Sequence, residues 1–205
     1  MLFRSPIRSV WSRWTRSAEA ELDRLFEARV GPETRILELA PGTGINIERL
    51  LRCAPRFRSY LGIDVTPEML ERAREKTGAD PRFELRIGDA TDLSEVEGPF
   101  DFVVCIWLLS HLEDPARAVA SAVGRLARGG TAVFVFFTEP DRAVVRWPLR
   151  PAIRAFRAHF VAPEPIRGIP GLERMARHAG GIATLAVFRR GGAVVEPVNR
   201  AVESQ

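Results

Sequence analysis

The chain has 205 residues and a formal net charge of +4 at pH 7, which suits a single domain with a sizeable core. Its two cysteines and three histidines give no disulfide framework and no ligand spacing, so we expect no metal site. The longest apolar runs fall far short of the roughly 20 residues that span a bilayer, and the N-terminus lacks the apolar centre of a signal peptide. We therefore expect a cytoplasmic protein.

The N-terminal segment is predicted to form an amphipathic helix with a basic beginning. Residues 1–17 carry four arginines and no acid, and apolar residues recur at spacings of mostly three and four. These apolar residues are Ile7, Val10, Trp11, Trp14, Ala18, Leu22, Leu25 and Phe26. In one interpretation this face packs on the domain and the arginines are solvated. In the other, Trp11 and Trp14 cover a hydrophobic or anionic substrate or touch an anionic membrane surface.

The most informative stretch is residues 35–46, which reads as a buried strand, a glycine turn and the start of a helix. Gly42 and Gly44 can adopt backbone angles closed to other residues and let a ligand approach the main chain. Glu38 lies in the strand, where a carboxylate is expensive to bury without a partner, so it is a candidate ligand contact. Ile47 stands where the dinucleotide fingerprint requires a small residue, which argues against NAD or FAD.

A second strand is predicted over residues 60–64 and ends in Asp64, 22 residues beyond Gly42. A carboxylate at this distance from the glycine turn suits two hydrogen bonds to ribose hydroxyls. A helix follows at once, with Thr66 as its N-cap and a proline at its first position. The alternation of strand and helix predicts a parallel sheet.

Three more strands are predicted in chain order. Residues 82–87 alternate between polar and apolar side chains and lead to Asp89. Residues 100–107 form a continuous apolar run, which is typical of a buried parallel strand. A helix is then predicted over residues 116–127, followed by a turn and a fifth strand over residues 128–137.

Together these segments resemble the class I S-adenosylmethionine-dependent methyltransferases, in particular the type 11 and ubiquinone/menaquinone methyltransferases. The resemblance covers roughly residues 33–137. The matching strings are Glu38-Leu-Ala-Pro-Gly-Thr-Gly44, Asp64 with the helix start Thr66-Pro-Glu-Met-Leu-Glu-Arg-Ala, Gly88-Asp89-Ala90, and the strand and loop from Phe100 to Pro115. The chain departs from the family at Ala40, where glycine is usual, and at Ser110, where a first histidine is common.

The resemblance implies an α/β, Rossmann-like fold with a seven-stranded, mostly parallel sheet and helices on both faces. It also implies S-adenosyl-L-methionine as the cofactor, S-adenosyl-L-homocysteine as its product, and no metal. The implied cofactor-binding residues are Glu38, Ala40, Gly42, Thr43, Gly44, Asn46, Asp64, Val65, Met69, Asp89, Ala90 and Cys105. The candidate substrate-pocket residues are Trp107, His111, Trp11 and Trp14.

Residues 1–205 are expected to form one methyltransferase domain, with parts that follow family topology. These parts are an N-terminal helical lid (1–30), a cofactor-binding core (31–137), a basic substrate or lid insert (138–170) and closing strands (171–190). Residues 142–178 hold eight arginines against two acids. Within the insert, a basic helix is predicted over Ala152 to Val161, and the closing strands are predicted over residues 172–178 and 182–188.

Methyl transfer from a sulfonium is a direct displacement, so the chain needs no nucleophilic residue. His111 is the best-placed candidate for a general base, because it follows the fourth strand and imidazole titrates near neutral pH. The alternative is a loop histidine that orients the backbone.

We expect methylation of a small molecule, hydrophobic or lipid-like, on oxygen, nitrogen or carbon. An RNA methyltransferase and a noncatalytic binding protein that kept the fold are the alternatives. Nucleic acid is the less expected partner, because the positive charge lies mostly near the termini and the chain has no recognisable RNA-binding module.

Overall fold

A computed structural model describes residues 7–140, 142, 149–151, 153–155 and 157–191, with side chains described from residue 16 onward. The strands are β1 (Arg35–Leu39), β2 (Ser59–Asp64), β3 (Phe83–Ile87), β4 (Phe100–Ile106), β5 (Leu126–Phe137), β6 (Leu172–His178) and β7 (Ala183–Arg189). The helices are α1 (Ile7–Arg29), α2 (Ile45–Cys53), α3 (Pro67–Thr77), α4 (Pro115–Gly124) and α5 (Pro163–Arg167). Short 3₁₀ helices span Leu108–His111 and Ala179–Gly181.

The seven strands form one sheet in the order β3-β2-β1-β4-β5-β7-β6. Neighbours from β3 to β5 are parallel, whereas β7 runs antiparallel to both β5 and β6. This arrangement confirms the predicted Rossmann-like, mostly parallel sheet. The strand order reverses between β1 and β4, and ligands of open α/β sheets bind at the carboxyl ends of the strands at such a reversal.

Helices cover both faces of the sheet, because successive strand residues point to opposite sides. On one face, α1, α2 and α3 pack over residues such as Ile36, Phe102 and Val133. On the other face, α4 and α5 pack over residues such as Leu37 and Phe134. Both layers are nearly free of polar side chains, so burial of apolar surface holds the helices in place.

The apolar face of α1 packs on the domain through its described second half. Ala18, Leu22, Leu25 and Phe26 are all buried there, as the first interpretation of this helix expects. Trp11, Trp14 and the arginines before residue 16 lie outside the described side chains.

Ion pairs also tie α1 to the edge strand β6. The Oε2 atom of Glu21 lies 3.1 Å from His178 Nε2, and Glu21 also pairs with Arg174. The close contact with His178 and the positive charge of Arg174 lower the pKa of Glu21, against the opposing effect of burial. Arg29 pairs with Glu173 at 3.3 Å near the end of the helix.

Two predicted helix boundaries are wrong. Helix α4 ends at Gly124 rather than at residue 127, because Leu126 already pairs with Phe100 as the start of β5. The basic helix predicted over 152–161 lies earlier, with helical residues at 149–151 and 153–155.

Long-range hydrogen bonds explain where this helix ends. The amide of His159 donates to the Ser110 carbonyl at 2.8 Å, and the amide of Val161 donates to the Phe137 carbonyl at 2.8 Å. These bonds hold the backbone of residues 159–161 against the end of β5, so a helix cannot continue through residue 161. Helix α5 then follows, which the sequence analysis missed.

No helix in the described part of the chain is long and apolar enough to cross a membrane. The same described residues contain no group of three or more His, Cys, Asp or Glu side chains placed to hold a metal ion.

Candidate functional site

The glycine turn between β1 and α2 has the backbone conformation that its sequence predicts. Gly42 and Gly44 have φ angles of 56° and 77°, in the left-handed region that glycine adopts without steric cost. Gly44 also permits close packing, because a Cβ added there would lie 3.1 Å from the Ala73 Cα of α3. The turn therefore depends on both glycines.

Ala40 adopts a left-handed conformation in the same turn, with φ at 54°. Its amide donates to the Ile63 carbonyl at 2.8 Å, which holds the turn against the end of β2. A side chain in this conformation is strained by about 1–2 kcal/mol relative to glycine. The strain gives a physical reason for the glycine that the family usually has at this position.

Ala40→Gly is expected to stabilise the protein, by about 0.5–1 kcal/mol once the greater entropy of the unfolded chain is subtracted. Ala54→Gly is the matched control, because Ala54 has an ordinary φ of −144° and a buried methyl group. That control is expected to destabilise the protein. Urea denaturation of the two variants measures both changes, and a loss of stability in Ala40→Gly would contradict the strain at this position.

Glu38 is buried in β1 and both of its carboxylate oxygens accept hydrogen bonds. Asn46 Nδ2 donates to Oε1 at 2.7 Å, and the Tyr60 hydroxyl donates to Oε2 at 2.5 Å. Burial raises the pKa of Glu38 to about 7, although the bonds from Tyr60 and Asn46 oppose this rise. Glu38 thus links β1, β2 and α2 beneath the glycine turn, and any ligand contact would add to these bonds.

Asp64 joins the glycine turn to the end of β2. Its Oδ2 accepts from the Gly42 amide at 3.0 Å, its Oδ1 accepts from the Thr66 amide at 3.0 Å, and the residue is only 7% exposed. Thr66 occupies the predicted N-cap position of α3, but its side chain makes no capping hydrogen bond. The Asp64 carboxylate therefore lies beside the turn, in the place expected from the sequence.

Asp89 follows β3 and is exposed, unlike Asp64. Its Oδ1 accepts from both the amide and the hydroxyl of Thr91, each at 2.8 Å, which forms a local turn. Ala90 beside it is buried. No interaction fixes Asp89 to the glycine turn among the described residues.

Two large apolar side chains are exposed beside these acids at the carboxyl ends of β2 and β3. Val65 is 64% exposed and Ile87 is 60% exposed, and Ile87 is the register partner of Asp64 in the sheet. Met69 is half-buried on the adjoining helix α3. Exposed apolar groups close to acceptor groups are the pattern of a ligand surface.

The sequence analysis identified Val65 but missed Ile87. The available signal was the apolar position at the very end of an alternating strand. Cys105 lies on the other side of the sheet: it is completely buried in the core, and burial raises the pKa of its thiol. A ligand contact from Cys105 would therefore involve its backbone.

A cavity of about 230 Å³ lies at the reversal of strand order, between the glycine turn, α1 and the ends of β4 and β5. Its lining residues are Ala18, Glu19 and Leu22 of α1, Ala40 to Thr43 of the turn, Ile45, Asn46 and Arg49 of α2, and Ile106, Trp107 and Val135 at the strand ends. The cavity brings together five predicted site residues, namely Ala40, Gly42, Thr43, Asn46 and Trp107. The α1 residues and Arg49 were missed, although Arg49 lies one helical turn after Asn46 on the same face of α2.

Trp107 forms one wall of this cavity in a strained conformation. Its φ is 68°, which is uncommon for a bulky residue. Its ring stacks on Phe137 with centroids 4.6 Å apart, and its amide donates to the Val135 carbonyl at 2.7 Å. Such strain persists where surrounding contacts fix the residue, and it concentrates at functional sites.

His111 is exposed at the end of the 3₁₀ helix after β4 and does not line the cavity. Its Nδ1 lies 3.2 Å from the Arg157 carbonyl, so the neutral ring donates there when Nδ1 carries the proton. Ser110 before it is completely buried. The Ser110 hydroxyl accepts from the Phe137 amide at 2.9 Å, so this departure from the family has a structural role.

Comparison with known proteins agrees with this geometry. A family model described as a methyltransferase domain matches residues 36–130. The demethylmenaquinone methyltransferase of Deinococcus radiodurans is 31% identical over 179 residues, which cover 80% of this chain and 70% of that protein. The phosphatidylethanolamine N-methyltransferase of Cereibacter sphaeroides is 36% identical over 104 residues, 49% of each chain. This chain spans about half the length of several curated relatives that it matches.

Among solved structures, the N-methyltransferase NodS from Bradyrhizobium japonicum, in complex with S-adenosyl-L-homocysteine, has the same fold. Its TM-score is 0.65 at 24% identity, and the match covers 86% of this chain and 87% of that one. The fold, the glycine turn and the extended match to the Deinococcus protein lead to one assignment. The chain belongs to the class I S-adenosylmethionine-dependent methyltransferases.

Proposed function

We propose that this protein transfers the methyl group of S-adenosyl-L-methionine to a small hydrophobic acceptor in the cavity between the glycine turn, α1 and Trp107. The observation that carries the proposal is the cavity itself. It lies at the strand-order reversal and touches the glycine turn on one side, while apolar side chains such as Leu22, Ile106 and Val135 line the other sides.

The residues around the turn fit this cofactor. Val65 and Ile87 offer an exposed apolar surface for the adenine, beside the carboxylates of Asp64 and Asp89 that can accept from ribose hydroxyls and from an exocyclic amine. The left-handed turn at Gly42 leaves room for close approach to the backbone, since a Cβ there would meet nothing within 4 Å. When bound, S-adenosyl-L-methionine supplies a methyl group on a positively charged sulfur.

The protein's own contribution is alignment and exclusion of water. Helix α1 covers one side of the cavity with Ala18 and Leu22, which supports the assignment of residues 1–30 as a lid. Trp107 offers a rigid aromatic wall opposite the turn, held by its stacking on Phe137. An acceptor fixed between these groups would be held in line for displacement.

The hydrophobic acceptor follows from the lining of the cavity and from the relatives. Two of these relatives are named for demethylmenaquinone and phosphatidylethanolamine. A contact of the basic N-terminus with an anionic membrane would suit such an acceptor, but this segment precedes the described side chains. A cytoplasmic location and the insert over residues 138–170 as a second part of the lid remain predictions.

Transfer of a labelled methyl group tests the proposal. The protein is incubated with methyl-labelled S-adenosyl-L-methionine and, separately, hydroxylated quinone-like rings, an aminophospholipid and transfer RNA. We expect label in an organic-extractable product and none in RNA. Label in RNA alone would favour the RNA methyltransferase alternative, and binding of the cofactor without transfer to any acceptor in a cell extract would favour the noncatalytic one.

His111→Ala is expected to leave the affinity for S-adenosyl-L-homocysteine unchanged, because His111 is exposed and does not line the cavity. The effect of His111→Ala on turnover shows whether His111 acts as a general base or as a loop histidine that orients the backbone. Calorimetric titration measures the affinity, and His159→Ala, in the basic insert over residues 138–170, is the control. A large loss of cofactor affinity in His111→Ala would instead make this histidine part of the structure of the cofactor site.

A further inference from the structure

We propose that Arg49 and Glu19 bind the amino-acid end of the methyl donor, Arg49 through the carboxylate of that end and Glu19 through its ammonium group. This inference rests on the proposed function. It assigns binding residues to the amino-acid end of the cofactor, for which the motif residues provide no partner. Neither residue belongs to the strings by which the chain resembles its family.

The position of the two residues is the first argument. Glu19 is on α1 and Arg49 is on α2, and both line the cavity beside the glycine turn. They are the only charged residues among the described residues that line it. The methionine end of the donor is a zwitterion with one positive and one negative group, so the cavity offers one complementary charge for each.

The hydrogen bonds of Arg49 are the second argument. Its Nη1 donates to the Glu19 carbonyl at 3.2 Å and to Asp23 Oδ1 at 2.6 Å, and its Nη2 donates to Glu19 Oε2 at 3.1 Å. Its Nε–H is buried and makes no hydrogen bond with any residue that the structure describes. A buried donor without an acceptor is costly. A carboxylate beside this guanidinium would supply an acceptor of the matching charge and shape.

A second arginine would keep Asp23 paired if Arg49 turned toward a ligand. Asp23 also pairs with Arg52 at 3.1 Å, so its carboxylate keeps a cationic partner when Arg49 moves. The Arg49 side chain is only 11% exposed, whereas the Arg52 side chain is 62% exposed and lies outside the cavity. Two arginines of equal charge thus contact one aspartate, and of the two only Arg49 lines the cavity.

This pair of arginines provides a matched experiment. Arg49→Gln and Arg52→Gln each remove one guanidinium that contacts Asp23, and calorimetry compares their affinities for two ligands. The first ligand is S-adenosyl-L-homocysteine. The second is 5′-methylthioadenosine, which keeps the adenosine and the thioether but lacks the amino-acid end.

We expect Arg49→Gln to lose about 10-fold or more in affinity for S-adenosyl-L-homocysteine, as for a lost charged hydrogen bond, with no change for methylthioadenosine. Glu19→Gln should lose affinity for the same ligand only, and Arg52→Gln should behave as the wild type with both. Thermal melting of each variant without ligand checks that it is folded.

Four results would count against the inference. Wild-type affinity of Arg49→Gln for S-adenosyl-L-homocysteine would remove Arg49 from the site, and an equal loss for both ligands would show that Arg49 acts only by fixing α1 to α2. Failure of the wild type to bind either ligand would overturn the proposed function itself. Tight binding of both ligands by the wild type, with no difference among the variants, would overturn this inference alone.

Discussion

Glu38→Ala is expected to lower the free energy of unfolding by about 2–4 kcal/mol, because it leaves the buried Tyr60 hydroxyl and the half-buried Asn46 amide without their acceptor. The Tyr60 hydroxyl and the Asn46 amide both donate to this carboxylate, and Tyr60 is almost completely buried. Glu38→Gln is the matched control, since glutamine has the same size and can still hydrogen-bond both partners. Urea denaturation of both variants measures the difference, and equal stabilities would contradict a role for these two bonds.

The same carboxylate predicts a dependence of stability on pH. The pKa of folded Glu38 is raised from 4.5 to about 7, mainly by burial, with a smaller contribution from the charge of Asp64. Between these two values the folded state holds the proton more tightly than the unfolded state. The wild type should therefore lose stability as pH rises from 4.5 to about 7, by roughly 3 kcal/mol in total, and then level off.

Glu38→Gln cannot titrate and should lack this part of the dependence. The informative quantity is the stability of Glu38→Gln minus that of the wild type, since other titrating groups cancel in the difference. This difference should increase in favour of the variant between pH 5 and pH 8. A difference that stays constant over this range would show that folding does not raise the pKa of Glu38.

Asp64→Ala is expected to weaken binding of S-adenosyl-L-homocysteine by about 1–3 kcal/mol through lost charged hydrogen bonds, and to lower the melting temperature as well. The second effect follows because the amides of Gly42 and Thr66 both donate to this carboxylate. Loss of these bonds would weaken the attachment of the glycine turn to the end of β2, which the bond from the Ala40 amide to the Ile63 carbonyl would still hold.

Asp89→Ala separates these two effects. Asp89 is exposed, and among the described residues its side chain hydrogen-bonds only to the neighbouring Thr91. We expect it to weaken binding by a similar amount while leaving the melting temperature nearly unchanged. Calorimetry and thermal melting measure both quantities. If neither folded variant loses affinity, the assignment of the two acids to the cofactor site is wrong.

The parallel core of the fold could be predicted from the sequence because its signals are local. The apolar run of β4 and the break at Gly42 and Gly44 each lie within a few residues, and the motifs in their order and spacing carried the resemblance to the family. The end of α4 was predicted too late, since the pairing of Leu126 with Phe100 joins residues far apart in the chain.

The cavity could be predicted only in part, for the same physical reason. Ala40 was identified because it lies in the motif by which the chain resembles its family, and Trp107 because it ends the predicted strand over residues 100–107. The contact of Arg49 with Glu19 joins two helices, and the two residues are 30 positions apart in the sequence. No sequence motif beside either residue predicts this contact. The displaced helix of the insert is a similar case, because the carbonyl of Ser110 fixes the backbone at His159.

The central claim is that the glycine turn and the acids beside it bind S-adenosyl-L-methionine. Calorimetric titration of the purified protein with S-adenosyl-L-methionine and S-adenosyl-L-homocysteine, with NADH as the control, tests it most directly. We predict micromolar binding of the first two ligands and none of NADH, because Ile47 fills the position that a dinucleotide site keeps small. Binding of NADH alone, or of none of the three ligands, would contradict the claim.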